Sequence, residues 1–184
     1  DYMRHRRYIG SKDRVFIAEN TYDLIRHFGR LKWVLKKTGQ KADTQLDPRI
    51  TLMAFLVLYH GKKADEISAI FNGEKYAPEL LNENEEAFIS NLRARKETLL
   101  VEMPEHVRVE CPNSLVQGLK TFYGTSFPDE LKALIPSAPL DLRVNLAASD
   151  RDQIQKSLEK DSVQTDITAL SPWGLRCRDK VHLA

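Results

Sequence analysis

The chain has 184 residues, 28 Lys and Arg against 26 Asp and Glu for a net charge of +2, five His and two Cys. That length holds one ordinary domain, or one domain with a small appendage, and 42% apolar residues exclude wholesale disorder. Two cysteines exclude a disulfide framework and a four-Cys zinc site, and the longest apolar run, residues 52–59, falls far short of the roughly 20 residues that span a bilayer.

The first 41 residues carry 11 Lys and Arg against four Asp and Glu, a net +7, whereas residues 42–105 carry −5 and the rest is neutral. A basic lobe followed by an acidic one suits nucleic acid or an acidic partner, and suits equally a solvated helix face. Ser11 is a good N-cap, and Ile17, Thr21, Leu24, Phe28, Leu31 and Leu35 recur at helical spacing. Two helices are expected there, broken near Gly29 and ended by Gly39. Asp47-Pro48 starts a helix over residues 48–60 that is apolar nearly all round and so central. A short helix carries Ile67, Ile70 and Phe71. Asn82 caps a helix over residues 83–96 with Ala87, Phe88 and Leu92 inward, and the acidic stretch 83–86 is expected to face solvent. Cys111-Pro112 precedes a helix with Leu115, Leu119 and Phe122 inward, and Pro128 begins a last short helix through Leu134.

The spacing then changes. Leu140, Leu142, Val144 and Leu146 alternate with Asp141, Arg143 and Asn145, which is the period of a strand. Ser149 caps a helix over residues 150–160, a second alternating stretch spans residues 163–169, and Ser171-Pro172-Trp173-Gly174 turns into a further strand at residues 175–178. The expected fold is mainly α: a helical bundle over residues 1–135, then a small α+β segment over residues 136–184. The chain reads as a piece of a longer protein at both ends, and the N-terminal residues do not read as a signal peptide, so a soluble, cytoplasmic protein is expected.

Arg7-Tyr8-Ile9-Gly10-Ser11-Lys12-Asp13-Arg14, followed by Ile17-Ala18-Glu19 and Tyr22, resembles the start of the Sun/Fmu-type bacterial 16S ribosomal RNA cytosine-C5 methyltransferases. Pro139-Leu140-Asp141-Leu142-Arg143-Val144-Asn145 and Leu170-Ser171-Pro172-Trp173-Gly174-Leu175-Arg176 resemble later blocks of the same family, in the same order. The resemblance implies a helical domain like the antitermination factor NusB and a segment resembling an RNA-recognition fold. It further implies ribosomal RNA as partner and a C-terminal catalytic domain using S-adenosylmethionine, which would follow this chain. The family's glycine-rich cofactor loop and its Thr-Cys-Pro and Pro-Cys-Ser motifs do not occur here, so no catalytic or cofactor-binding residue is expected in this chain. A standalone NusB-like RNA- or protein-binding module in transcription antitermination is the alternative, and a pure protein-interaction domain a third.

Arg4, Arg6, Arg7, Lys12 and Arg14, with Tyr2 and Tyr8 interleaved, are the leading candidates for RNA contact, because guanidinium forks bind phosphate and tyrosine rings stack on bases. Arg26 and Arg30, with Lys32, Lys36 and Lys37, extend the lobe. Arg14 has a competing role, at a helix C-terminus or an acidic core partner. Arg143 and Asn145 are expected on one strand face, touching RNA or bonding the interdomain linker. Trp173 reads as packing rather than as a base platform, and Cys111 and Cys177 as structural. The five His are isolated and no Cys-x-x-Cys occurs, so no metal site is expected.

Overall fold

The computed structural model describes Met3, His5, Arg6 and residues 9–40 and 46–179. It divides into two units, Asp1–Pro136 and Ser137–Ala184. The described chain is mainly helical, with one three-stranded antiparallel sheet whose strands all lie after Pro139.

In the first unit, α1 (Ser11–Arg26) and α2 (Phe28–Lys37) meet at His27, two residues before the expected break at Gly29. Gly10, rather than Ser11, precedes α1, and no side chain caps it. Thr38, Gly39 and Gln40 close α2: Gly39 has φ +83°, its N–H reaches the Lys36 carbonyl at 3.2 Å, and that of Gln40 reaches the Leu35 carbonyl at 2.9 Å. Only a residue without a Cβ adopts that left-handed step cheaply, which is why the helix stops there. Helix α3 (Pro48–Leu58) starts as the sequence dictates, with the Asp47 carboxylate accepting from the Arg49 and Ile50 amides. It is the central helix, burying Met53, Ala54, Phe55, Leu56 and Val57.

Helix α4 (Ala64–Ile70) contributes Ile67, and Phe71 follows it into the same core. Helix α5 (Glu83–Glu102) is longer than expected, because Leu99 continues the buried stripe past the charged stretch around Arg93, Arg95, Lys96 and Glu97. Ile89, not Ala87, joins Phe88 and Leu92 inside, and Ala87 is exposed. Glu85 corrects the reading of residues 83–86 as a solvated face. It is 7% exposed and answers Arg49 across the helices.

Helix α6 (Glu105–Arg108), helix α7 (Asn113–Tyr123), a 3-10 turn (Gly124–Ser126) and helix α8 (Phe127–Ala133) complete the unit. Val109, Cys111, Phe127 and Leu131 form a second small core, flanked by Val116, Leu119 and Tyr123. Leu115 and Phe122, expected inward, are exposed at 52% and 79%.

In the second unit, β1 (Asp141–Arg143), α9 (Arg151–Lys160), β2 (Thr165–Ile167) and β3 (Gly174–Cys177) form a sheet of order β1-β3-β2 with one helix. Asp141 pairs with Arg176 and Arg143 with Gly174 on one side of β3; Asp166 pairs with Arg176 on the other. Alternation along the strands therefore puts Asp141, Arg143, Asp166 and Arg176 on one face and Leu142, Leu175, Cys177 and Thr165 on the other. Leu175 and Cys177 are buried and the charged row is exposed. Asp150, not Ser149, caps α9, accepting from the Gln153 amide at 2.9 Å.

Candidate nucleic-acid interface

The candidate cations of the helical unit have separate fates. Arg4 and Arg7, with Tyr2 and Tyr8, lie outside the described residues. Arg6 is half-buried, and its backbone N–H donates to the Met3 carbonyl at 3.2 Å. Lys12 is exposed in the first turn of α1. Arg14 donates from Nε to the Ile9 carbonyl at 2.9 Å, holding the turn before α1 rather than a helix C-terminus or an acidic group. Arg26 pairs with Asp23 one turn back on the same helix.

Arg30 is drawn inward. Its guanidinium lies 3.4 Å from the Glu110 carboxylate, and its own amide donates to Glu110 at 3.2 Å. The Gly29 amide donates to the second Glu110 oxygen at 2.8 Å, so one carboxylate crowns the free N–H groups at the start of α2. Burial pushes the Glu110 carboxyl above its ordinary value, against the pull of the two amides and of Arg30. Arg30 thus serves the join between α2 and the α6–α7 connection.

Arg143 and Asn145 part company. Arg143 ends β1 and is exposed, its guanidinium 5.4 Å from the centre of the Trp173 ring. Asn145 lies beyond the strand end, where its Oδ1 accepts from the Ala147 amide at 3.1 Å. That local bond turns the chain out of the ladder, so Asn145 is a turn residue.

Sequence reasoning passed over the neighbours of Arg143. Arg176 donates twice to Asp141, at 2.7 Å each, and Arg178 holds Asp166 from Nε and from Nη2. These pairs are exposed to water and add little to stability, but they fix the guanidinium planes over the sheet. The same bonds draw the Asp141 and Asp166 carboxyls below their usual range. Among the described residues Arg143 has no carboxylate partner. The alternation Leu175 in, Arg176 out, Cys177 in, Arg178 out was the available signal. A groove of about 590 Å³ lies on this face, lined by Asp141, Arg143, Asp166, Thr168, Ser171 and Arg176 among others.

Both cysteines are buried. Cys111 is 5% exposed, and burial pushes its thiol up, the reverse of what thiolate attack requires. Cys177 is buried in β3. Among the described residues no cluster of His, Cys, Asp and Glu could hold a metal ion, and no helix is long and apolar enough to cross a membrane. Among the described residues one strand leads directly into a helix, β1 into α9, and the connection has no glycine and ends on the Asp150 carboxylate. No protein-family model matches this chain, and no curated protein is significantly similar to it.

Proposed function

We propose that this chain is the N-terminal, RNA-binding part of a ribosomal RNA cytosine-C5 methyltransferase, holding the RNA for a catalytic domain that lies outside it. Methyl transfer from S-adenosylmethionine belongs to that domain, and no residue of this chain takes part in it. The observation that carries the reading is the open sheet face. The two sequence blocks around Arg143 and Arg176, far apart in the chain, pair as neighbouring strands and present Arg143 and Arg176 on one side, with the half-exposed Trp173 ring at the end of β1, 5.4 Å from the Arg143 guanidinium. The +7 charge of the first 41 residues supports the same partner.

The test is titration of the whole chain with a 16S ribosomal RNA fragment between about 50 and 200 mM salt. Affinity is expected to fall with salt with a logarithmic slope of about −3 or steeper, because each neutralised phosphate contributes about −0.9 on a duplex. Replacing Arg6, Arg7 and Lys12 together by Ala should flatten that slope while the far-ultraviolet circular dichroism is unchanged. Salt-independent binding, or none, overturns the reading in favour of a protein-interaction domain.

A further inference from the structure

Trp173 is one of two tryptophans in the chain and is 42% exposed. Its backbone is held on both sides. The Trp173 carbonyl accepts from the Val144 amide at 2.9 Å, and its own amide donates to the Ser171 hydroxyl at 3.3 Å. Thr168 donates from its hydroxyl to the Ser171 carbonyl at 3.1 Å, closing the connection between β2 and β3. Gly174 completes the clamp: a Cβ there would stand 2.0 Å from the Thr168 hydroxyl oxygen, so the turn packs this tightly only around glycine. A large ring that the fold leaves half in water is thus presented by a fixed backbone.

Two concavities share this ring. One, of about 360 Å³, is lined by Arg143, Val144, Asn145, Leu146, Ala147 and Trp173. The other, of about 540 Å³, is lined by Trp173, Pro172, Leu146 and the first turns of α9, including Arg151, Asp152 and Lys156. Arg143 lies over the ring without a carboxylate partner among the described residues, and Lys156 is exposed. Arg151 is half-buried and lines the second concavity, and its Nε has no acceptor among the described residues. Two carboxylates line the same wall. Asp150 is engaged in capping α9, whereas Asp152 is an exposed acceptor. Cations for phosphate, an aromatic face and a carboxylate that accepts from an exocyclic amine are together the complement of a nucleotide.

We propose that Trp173 is a stacking platform for one unpaired nucleobase of single-stranded RNA, with Arg143, Arg151 and Lys156 contacting the flanking phosphates. The inference deepens the RNA-binding reading above and rests on it. A base still stacked in a duplex has no free face to offer, so the site selects single strands.

The experiment uses the whole chain and a labelled cytidine decanucleotide, with a duplex of equal length as control, read by fluorescence anisotropy across salt concentrations. Trp173→Ala is expected to weaken single-strand binding by about 5- to 150-fold, the range of one base–aromatic stack, with an unchanged salt slope. Trp173→Phe should retain most of the affinity. Lys156→Ala should flatten the slope by about 0.7, one phosphate of a single strand. If Trp173→Ala perturbs the circular dichroism, Trp173→Phe and Arg143→Gln decide, since Arg143 is exposed and its loss should weaken single-strand binding without unfolding. Wild-type binding that is indifferent to these substitutions, or equal loss on the duplex, overturns the platform and leaves the RNA reading standing. Failure of the wild type to bind either RNA overturns both. Trp173-dependent binding of an acidic peptide in place of RNA overturns the nucleobase assignment.

Discussion

His27 occupies the single residue between α1 and α2, and its surroundings decide its charge. Its ring lies 4.1 Å, centre to centre, from that of Tyr59 and 6.5 Å from that of Phe55. Nδ1 sits 2.8 Å from the Asp23 carbonyl, which fixes the proton on that nitrogen. Burial, aided by Arg30 and Arg26, lowers its pKa from the ordinary 6.5, although the Asp23 carbonyl pulls the other way. The same pocket pushes the Tyr59 hydroxyl up to about 12, again chiefly by burial. A histidine that resists protonation when folded binds fewer protons than it does unfolded. It therefore contributes stability above pH 6.5 that is lost as the pH falls toward its lower folded value. His27→Phe keeps a ring against Tyr59 and removes the titration. Denaturant unfolding just below pH 6.5 should show a flatter fall of stability with acidification in the variant than in the parent. Glu110 adds a constraint of another kind. It sits at φ +55°, a strained backbone for a residue with a Cβ, and its carboxylate would lie 2.5 Å from a Cβ at Gly29. The sequence marked Gly29 as a breaker. Its use is close approach to a carboxylate 81 positions away, which no local pattern can announce.

At the scale of elements, the first unit turns on the join between α3 and α5. Arg49 donates from Nε to Glu85 at 2.6 Å and from Nη2 to its other oxygen at 3.1 Å, and also reaches the Glu79 and Leu80 carbonyls. Its guanidinium lies 4.6 Å from the Phe71 ring centre. Glu85 meanwhile accepts from the Asn82 amide while Asn82 caps α5 through the Glu85 amide. A single carboxylate thus ends one helix gap and bonds two elements. Breaking a partly buried pair strands the remaining charge, whereas removing both partners together does not. Arg49→Met and Glu85→Gln are each expected to lower unfolding stability by about 3 kcal/mol, with the double variant losing less than the sum, as measured in a double-mutant cycle. The capping residues of this join were legible, since Asp47-Pro48 and Asn82 with Glu85 three residues on are local signatures. The pairing was not, because it links residues 36 apart. Helix α7 shows the limit of periodicity. Leu115, Leu119 and Phe122 make as good a stripe as Val116, Leu119 and Tyr123, and only the position of Phe127 and Leu131 selects the second. Strand β1 was shortened by a side chain: the bond from Asn145 to the Ala147 amide competes with the ladder that the alternation foretold.

Across the whole molecule, the change from helical to alternating spacing at Pro136–Pro139 was legible because it alters the period itself, and the strands lie beyond it. The open sheet face was legible at Arg143 alone. Its composition depends on the order β1-β3-β2, which brings Arg176 between Asp141 and Asp166, and strand order is not written in any one strand. The buried cysteines also have a consequence for how the two units can be watched. The chain's two thiols fall one to each unit, Cys111 in the first and Cys177 in the second, and each is 5% exposed. An alkylating reagent reaches a buried thiol only when its surroundings open, so the two sulfurs act as separate clocks for the small core around each of them. Cys177 shares its core chiefly with Val144, Thr165 and Leu175, whereas the small core around Cys111 adds the large Phe127 ring and Leu131, flanked by Leu119 and Tyr123, so less apolar surface holds Cys177 closed. Native-state iodoacetamide labelling followed by peptide mass spectrometry should modify Cys177 well before Cys111. Equal rates would mean that the units open in a single step, and each sulfur would then be reporting the unfolding of the entire chain.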